Sequence, residues 1–92
     1  MSKPKVIKFY ADWCGPCKMM APIFEEVQKD FSAVDFISVN IDDDVDGLAE
    51  LYVVKSIPTF IIDNMGGADG VIKQQGFIPL PKFKQFLTEG LE

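Results

Sequence analysis

Two cysteines lie three positions apart at the junction between a short apolar segment and a longer amphipathic one. Before Cys14, residues 6–11 are nearly all apolar or β-favouring, which is typical of a strand buried on both faces. After it, apolar side chains recur at helical spacing, which predicts a helix over about residues 14–31. The cysteine pair therefore lies where a buried strand passes into the first turn of a helix.

The remaining segments alternate between strand-like and helix-like patterns. The predicted elements are strands at 34–41, 59–63 and 70–75 and helices at 45–52 and 80–91. A polar, glycine-rich run at 64–69 is typical of a turn between two antiparallel strands. The sequence thus predicts an α/β fold with the order β-α-β-α-β-β-α, in a single domain over residues 1–92.

Composition and charge argue against several classes of protein. The net charge is −5, and there is no arginine, so few side chains could recognise phosphates or a nucleic acid. No apolar run is long enough for a membrane span or a signal peptide. We therefore expect a cytoplasmic monomer with no nucleic-acid or membrane partner. The absence of histidine removes the Cys-His catalytic pair and the common zinc finger.

The spacing of the two cysteines predicts redox chemistry. A structural zinc or iron-sulfur site needs four ligands, and the chain offers two thiols and no imidazole, so we expect no bound metal. Unpaired amide groups and the helix dipole favour a thiolate at Cys14, which begins the helix. Cys17, one turn later, should be more buried and close enough to attack a mixed disulfide formed at Cys14. The pair therefore predicts attack followed by resolution.

Residues 11–22, with Trp-Cys-Gly-Pro-Cys-Lys at 13–18, resemble the thioredoxin family. The similarity continues at 39–42 and 56–59 and ends at 76–77, so it covers nearly the whole chain. The resemblance implies the thioredoxin fold and an enzyme that reduces protein disulfides without a bound cofactor. It also implies a thioredoxin-reductase-type electron donor as a partner.

The resemblance also assigns roles to residues around the two catalytic cysteines. Gly15-Pro16 is the dipeptide found in reductases of this kind, whereas glutaredoxins usually carry Pro-Tyr and oxidases Pro-His. The proline that matches Pro58 is cis in the family and lies beside the sulfurs, which would leave the Ile57 backbone free to bind an extended substrate. The implied substrate-binding surface consists of Trp13, Ile57, Pro58, Gly76 and Phe77.

Two departures from the family pattern affect these expectations. Members of the family usually begin with an extra strand and helix, whereas the first strand here begins about five residues into the chain. This predicts a minimal four-stranded mixed sheet with three helices, the size of a glutaredoxin. Six positions before the first cysteine, where the family normally has a buried aspartate, the chain has Lys8, and Ser38 replaces that aspartate's lysine partner. The simpler expectation is that the Lys8 side chain reaches solvent. The alternative is that Lys8 tunes the redox pair, as a nearby cation or as a neutral base.

Other functions also fit parts of the sequence. The short architecture and Lys8 fit a glutaredoxin-like enzyme coupled to glutathione, and the apolar surface fits a non-catalytic docking module. The acidic run at 42–47 begins like a calcium loop, but Val53 stands where a bidentate glutamate is required. We interpret this run as a solvated loop in which a carboxylate caps the next helix.

Overall fold

The computed structural model describes residues 3–64 and 70–91. The strands are β1 (Lys5–Tyr10), β2 (Asp35–Asn40), β3 (Thr59–Asp63) and β4 (Val71–Gln75). The helices are α1 (Gly15–Gln28), α2 (Leu48–Leu51) and α3 (Leu80–Gly90), with a 3-10 turn at Ile41–Asp43. The predicted α/β fold and its element order are confirmed.

Strand β1 occupies an interior position in a four-stranded mixed sheet. The strand order is β2-β1-β3-β4, with β1 parallel to β2 and antiparallel to β3, and with β3 antiparallel to β4. A parallel pair needs a crossover connection, which α1 supplies between β1 and β2. The segment that leaves β1 and enters α1, which carries both cysteines, therefore starts from the interior of the sheet.

The two faces of the sheet have separate buried clusters. The cluster that includes α1 and α3 consists of Val6, Met20, Phe24, Val27, Phe60, Ile62, Ile78, Phe83 and Leu87. The cluster on the other face, which packs against α2, consists of Ile7, Phe9, Val39 and Ile61. Within β1, Val6 belongs to the first cluster and Ile7 and Phe9 to the second, as the two-residue period of a strand requires. The position of a residue along β1 therefore decides which helices cover it.

Several predicted boundaries shift by a few residues for local reasons. Helix α1 ends at Gln28 instead of residue 31, because the next three amide groups bond to carbonyls three residues back. The predicted helix at 45–52 is shortened to α2, Leu48–Leu51.

A carboxylate caps the start of α2. The Asp44 carboxylate accepts hydrogen bonds from the backbone N–H groups of Leu48 (2.9 Å) and Ala49 (2.8 Å). The expected carboxylate cap is thus confirmed.

The turn predicted at 64–69 falls on residues outside the described part of the chain, apart from Asn64. The strands on either side of it, β3 and β4, pair antiparallel as expected. Within residues 3–64 and 70–91, no helix combines the length and the apolar character that crossing a membrane requires.

Candidate active site

Cys14 and Cys17 are joined by a disulfide bond at the start of α1. Their Cα atoms are 5.2 Å apart, within the usual range for bonded cysteines. Cys14 is 6% exposed and Cys17 is 3% exposed, so Cys17 is the more buried of the two, as expected. The two sulfurs are therefore placed to exchange between a bonded and a dithiol form.

Cys14 caps the amino terminus of α1. Its sulfur accepts a hydrogen bond of 3.2 Å from the backbone N–H of Cys17, and its carbonyl accepts one from Lys18. Pro16 lies in the first turn, where its missing N–H would have had no helical partner. The helix terminus thus directs a backbone N–H and its positive dipole end at the Cys14 sulfur, which stabilises negative charge there.

Trp13 lies immediately before the cysteine pair and is 68% exposed. Its indole Nε1 donates a hydrogen bond of 2.9 Å to Oδ2 of Asp42, in the 3-10 turn after β2. No local sequence pattern predicts this pair, although Asp42 belongs to the segment at 39–42 that resembles the family. The bond anchors the polar edge of a large exposed ring beside the cysteines.

Pro58 and Gly76 meet where β3 begins and β4 ends. The Ile57-Pro58 peptide bond is cis, as expected from the family pattern, and the Pro58 side chain is fully buried. The Pro58 carbonyl accepts a hydrogen bond of 2.8 Å from the N–H of Gly76. Gly76 has a φ of 86°, which favours glycine. The residue after β4 is thereby tied to the segment that precedes β3.

Ile57 connects this segment to the cysteines. Its side chain packs against the buried cluster that contains both cysteine side chains, and with Trp13 it lines a cavity of about 280 Å³. Neither its backbone N–H nor its C=O has a hydrogen-bond partner within residues 3–64 and 70–91. Phe77 is 43% exposed but does not line this cavity. The structure therefore brings Trp13 and Ile57 together and leaves Phe77 outside their cavity.

Lys8 lies in β1 with 8% of its surface exposed, so the expectation that it reaches solvent is wrong. Its Nζ lies 4.9 Å from the ring centre of Phe24, on α1, and 5.0 Å from that of Tyr10. Lys8 and Cys17 line the same cavity, of about 440 Å³. Burial lowers the pKa of the Lys8 ammonium, and the negative charge of Glu25 opposes that shift. A largely buried lysine thus lies on the wall of the cavity that the second cysteine also lines.

Two of the acidic residues after β2 make structural contacts. Asp42 accepts the hydrogen bond from Trp13, and Asp44 caps α2. In the part of the chain that the structure describes, no group of three or more cysteine or carboxylate side chains is arranged to hold a metal ion.

Comparisons with known proteins agree with this fold and site. The family model described as thioredoxin matches residues 1–89. A thioredoxin of Mycoplasmoides gallisepticum is 42% identical over 87 residues, which cover 94% of this chain and 83% of that protein. A thioredoxin of Borreliella burgdorferi is 35% identical over 88 residues, covering 95% and 73%. The solved structure of chloroplastic thioredoxin z has a TM-score of 0.81 at 22% identity, covering 96% of this chain and 78% of that one, which shows the fold.

Proposed function

The chain belongs to the thioredoxin family, and we propose that it reduces disulfide bonds in other proteins, with distinct roles for Cys14 and Cys17. It is a thiol-disulfide oxidoreductase, as its relatives and the disulfide between these two residues indicate. In the reducing direction, the pair begins as two thiols and ends as the disulfide present in this structure.

The position of the Cys14 sulfur at the amino terminus of α1 carries the proposal. In the reduced protein, the Cys17 N–H and the helix dipole stabilise a thiolate on Cys14. That thiolate attacks one sulfur of a substrate disulfide, forms a mixed disulfide and releases the other substrate sulfur, which takes up a proton. Cys17 then attacks the Cys14 sulfur, forms the Cys14–Cys17 bond and releases the second substrate thiol. Two electrons pass from the cysteine pair to the substrate.

Gly15 and Pro16 tune this pair. Among the described residues, no heavy atom outside the adjoining residues and the helix backbone lies within 4 Å of the point where a Gly15 side chain would begin, which leaves room for a substrate to approach. Pro16 fixes the backbone of the first turn through its ring. By resemblance, this Gly-Pro dipeptide is the one carried by reductases, which supports the reducing direction.

A docking surface beside the sulfurs binds the substrate. It consists of Trp13, Ile57, Gly76 and Phe77, together with Pro58, whose buried side chain contributes by fixing the backbone next to Ile57 and offers no exposed contact of its own. The unpaired N–H and C=O of Ile57 offer an extended substrate segment two backbone hydrogen bonds, as in strand addition. The exposed indole of Trp13 and the cavity it shares with Ile57 provide an apolar contact next to them. These features favour an extended polypeptide as the substrate.

The oxidised pair must be reduced again before the next cycle. A thioredoxin-reductase-type protein is the proposed electron donor, and it would reach the same sulfurs over the docking surface. Residues 1–92 act as one domain and as a monomer. No bound cofactor is needed, because thiol-disulfide exchange itself transfers the electrons. The proposed location is the cytoplasm, where a dithiol reductase is kept in its working form by the reducing conditions.

The test measures reduction of the interchain disulfides of insulin, with dithiothreitol as electron donor. The wild-type chain should accelerate the reduction, and Cys14→Ser should abolish the acceleration. Cys17→Ser should lose turnover but accumulate a mixed disulfide through Cys14, which a reductant cleaves. Turnover by Cys14→Ser, or an adduct that forms through Cys17 instead, would contradict these roles.

Two further measurements separate the alternatives. The proposed reductase should have a cysteine-pair reduction potential well below that of the glutathione pool, whereas saturable activity with glutathione and a potential near that pool would support a glutaredoxin-like enzyme. A docking module would keep its function when both cysteines are replaced by serine. The doubly substituted chain therefore serves as the control that tests for a role without chemistry.

A further inference from the structure

A buried lysine, Lys8, lies in the sheet below the cysteine pair. Its register neighbours are Ser38 of β2 and Phe60 of β3, neither of which is charged. Its ammonium forms no ion pair or hydrogen bond within residues 3–64 and 70–91. Burial removes part of the hydration of the Lys8 ammonium, and this disfavours its charged form. Within the described residues, the disulfide form therefore leaves Lys8 without a directly bonded anion, and Glu25 acts on it only through its charge.

Aromatic rings compensate for this burial only in part. Nζ lies 4.9 Å from the ring centre of Phe24 and 5.0 Å from that of Tyr10, close enough for cation–π attraction. A ring face carries no net charge, so it replaces hydration less well than an anion does. The pKa of Lys8 is accordingly lowered by burial, with Glu25 opposing the shift.

The cavity that Lys8 lines extends to Cys17. Its volume is about 440 Å³, and its lining includes the small side chains of Ala21 and Ser38. Cys14 is not among the lining residues. Negative charge that develops on Cys17 would therefore share a cavity with the Lys8 ammonium, whereas charge on Cys14 is stabilised by the helix terminus.

We propose that Lys8 is a positioning residue for the resolving step, in which its buried ammonium pairs with the thiolate of Cys17. The inference rests on the proposed function, in which Cys17 resolves the mixed disulfide. The Cys17 thiol gives its proton to water, its thiolate attacks the Cys14 sulfur, and the Cys14–substrate bond breaks. The substrate leaves as a thiolate and takes up a proton. Lys8 transfers neither electrons nor the proton and acts by Coulomb attraction across the cavity.

Other charged groups near the cavity act less strongly. Lys18 of α1 and Asp12 of the preceding loop also line the cavity, but both are exposed and are screened by water. Glu25 acts on Lys8 from α1. In the proposed pair, Lys8 and Cys17 each shift the pKa of the other. The Lys8 cation lowers the pKa of the Cys17 thiol, and the thiolate raises the pKa of Lys8 above its value in the disulfide form.

The Cys17 thiol can be titrated alone in a Cys14→Ser chain, through the ultraviolet absorbance of its thiolate. Adding Lys8→Met removes the charge and keeps a long side chain, and it should lower the acid dissociation constant of Cys17 about tenfold. The matched control is Lys82→Met, which removes an exposed charge from α3 and should leave Cys17 unchanged. An unchanged Cys17 pKa in the Lys8→Met chain overturns the proposal.

A second measurement needs no substitution at Lys8. Nitrogen NMR of the lysine side chains can titrate Lys8 in the wild-type chain, first as the disulfide and then as the dithiol. The pKa of Lys8 should be higher in the reduced form, and reduced Cys17→Ala should not show the increase. An equal Lys8 pKa in the disulfide and dithiol forms overturns the pairing.

These outcomes remain separate from those of the insulin test. A wild-type chain that reduces insulin, with a Cys17 pKa independent of Lys8, retains the reductase function and loses the role of Lys8. A chain that shows the coupled titration without reducing insulin retains the Lys8–Cys17 pairing and loses the reductase function.

Discussion

The indole Nε1 of Trp13 donates a hydrogen bond of 2.9 Å to the carboxylate Oδ2 of Asp42, which lies 29 positions later in the sequence. The bond joins the loop between β1 and α1 to the 3-10 turn that follows β2. Both segments follow the carboxyl ends of neighbouring parallel strands, and this brings them to the same edge of the sheet. The orientation of the exposed ring beside the disulfide thus depends on a residue outside the cysteine motif.

Asp42→Ala should weaken substrate binding, because it frees the Trp13 ring to leave its docking orientation. We expect KM for insulin to rise about fivefold with little change in kcat, which corresponds to the loss of about 1 kcal/mol from one exposed hydrogen bond to a charged group. Asp43→Ala removes the adjacent exposed carboxylate and serves as the control. Equal KM values for the two variants would show that the Trp13–Asp42 bond does not position the ring.

Gly76→Ala should destabilise the fold through its backbone. An alanine at a φ of 86° costs about 1 kcal/mol, although no neighbour in the described part of the chain lies within 4 Å of the new methyl group. Urea denaturation should show this loss in the free energy of unfolding. Gly15→Ala adds the same methyl group in equally open space without a positive φ, so it should cost nothing comparable. Equal losses in both variants would rule out backbone strain as the cause.

Asp44→Ala should destabilise the segment that contains α2. It removes the acceptor for the N–H groups of Leu48 and Ala49, at an expected cost of about 1 kcal/mol in the free energy of unfolding. Hydrogen exchange of these two amides should accelerate as well. Asp46→Ala, which removes an exposed carboxylate from the same loop, is the control. Unchanged exchange in Asp44→Ala would mean that the cap contributes nothing.

Tyr52 should make stability depend on pH in the alkaline range. Burial, followed by the 2.7 Å hydrogen bond that its hydroxyl donates to Asp63, raises the pKa of Tyr52 from 10.0 to about 12. Because the folded-state pKa exceeds the unfolded-state pKa, this stabilisation is complete below pH 10.0 and is lost as the pH rises through about 12. The free energy of unfolding should fall more steeply across this window in the wild-type chain than in Tyr52→Phe. Parallel curves would contradict the shift.

The strand and helix order was predictable because each element carries its own local pattern. The apolar run of β1, the helical spacing in α1 and the strand-like residues of β3 each indicate their element without reference to the rest of the chain. The carboxylate cap at Asp44 is local as well, since it acts on amides four and five residues later. The cis bond at Pro58 was expected through the family resemblance, since its short-range pattern alone would also suit a trans proline.

Lys8 shows where prediction from local pattern fails. The period of a strand places Lys8 on the same face of β1 as Val6, but it does not say what covers that face. A side chain as long as lysine can reach solvent from many strand positions, so exposure was the simpler expectation. In the folded chain, α1 crosses this face and brings Phe24 over the ammonium. The burial of Lys8 therefore depends on the packing of a helix whose placement the strand does not encode.

The sequence by itself determined the element order and the location of the cysteine pair at a helix start, because periodicity, capping and spacing act between residues that are close in the chain. Only the tertiary structure decided which distant groups meet the pair. The Trp13–Asp42 bond, the contact between Gly76 and Pro58, and the cavity shared by Lys8 and Cys17 each join segments far apart in sequence. Such contacts depend on the order of the strands in the sheet and on which face each helix covers, and the sequence expresses both only through the packing of the whole chain.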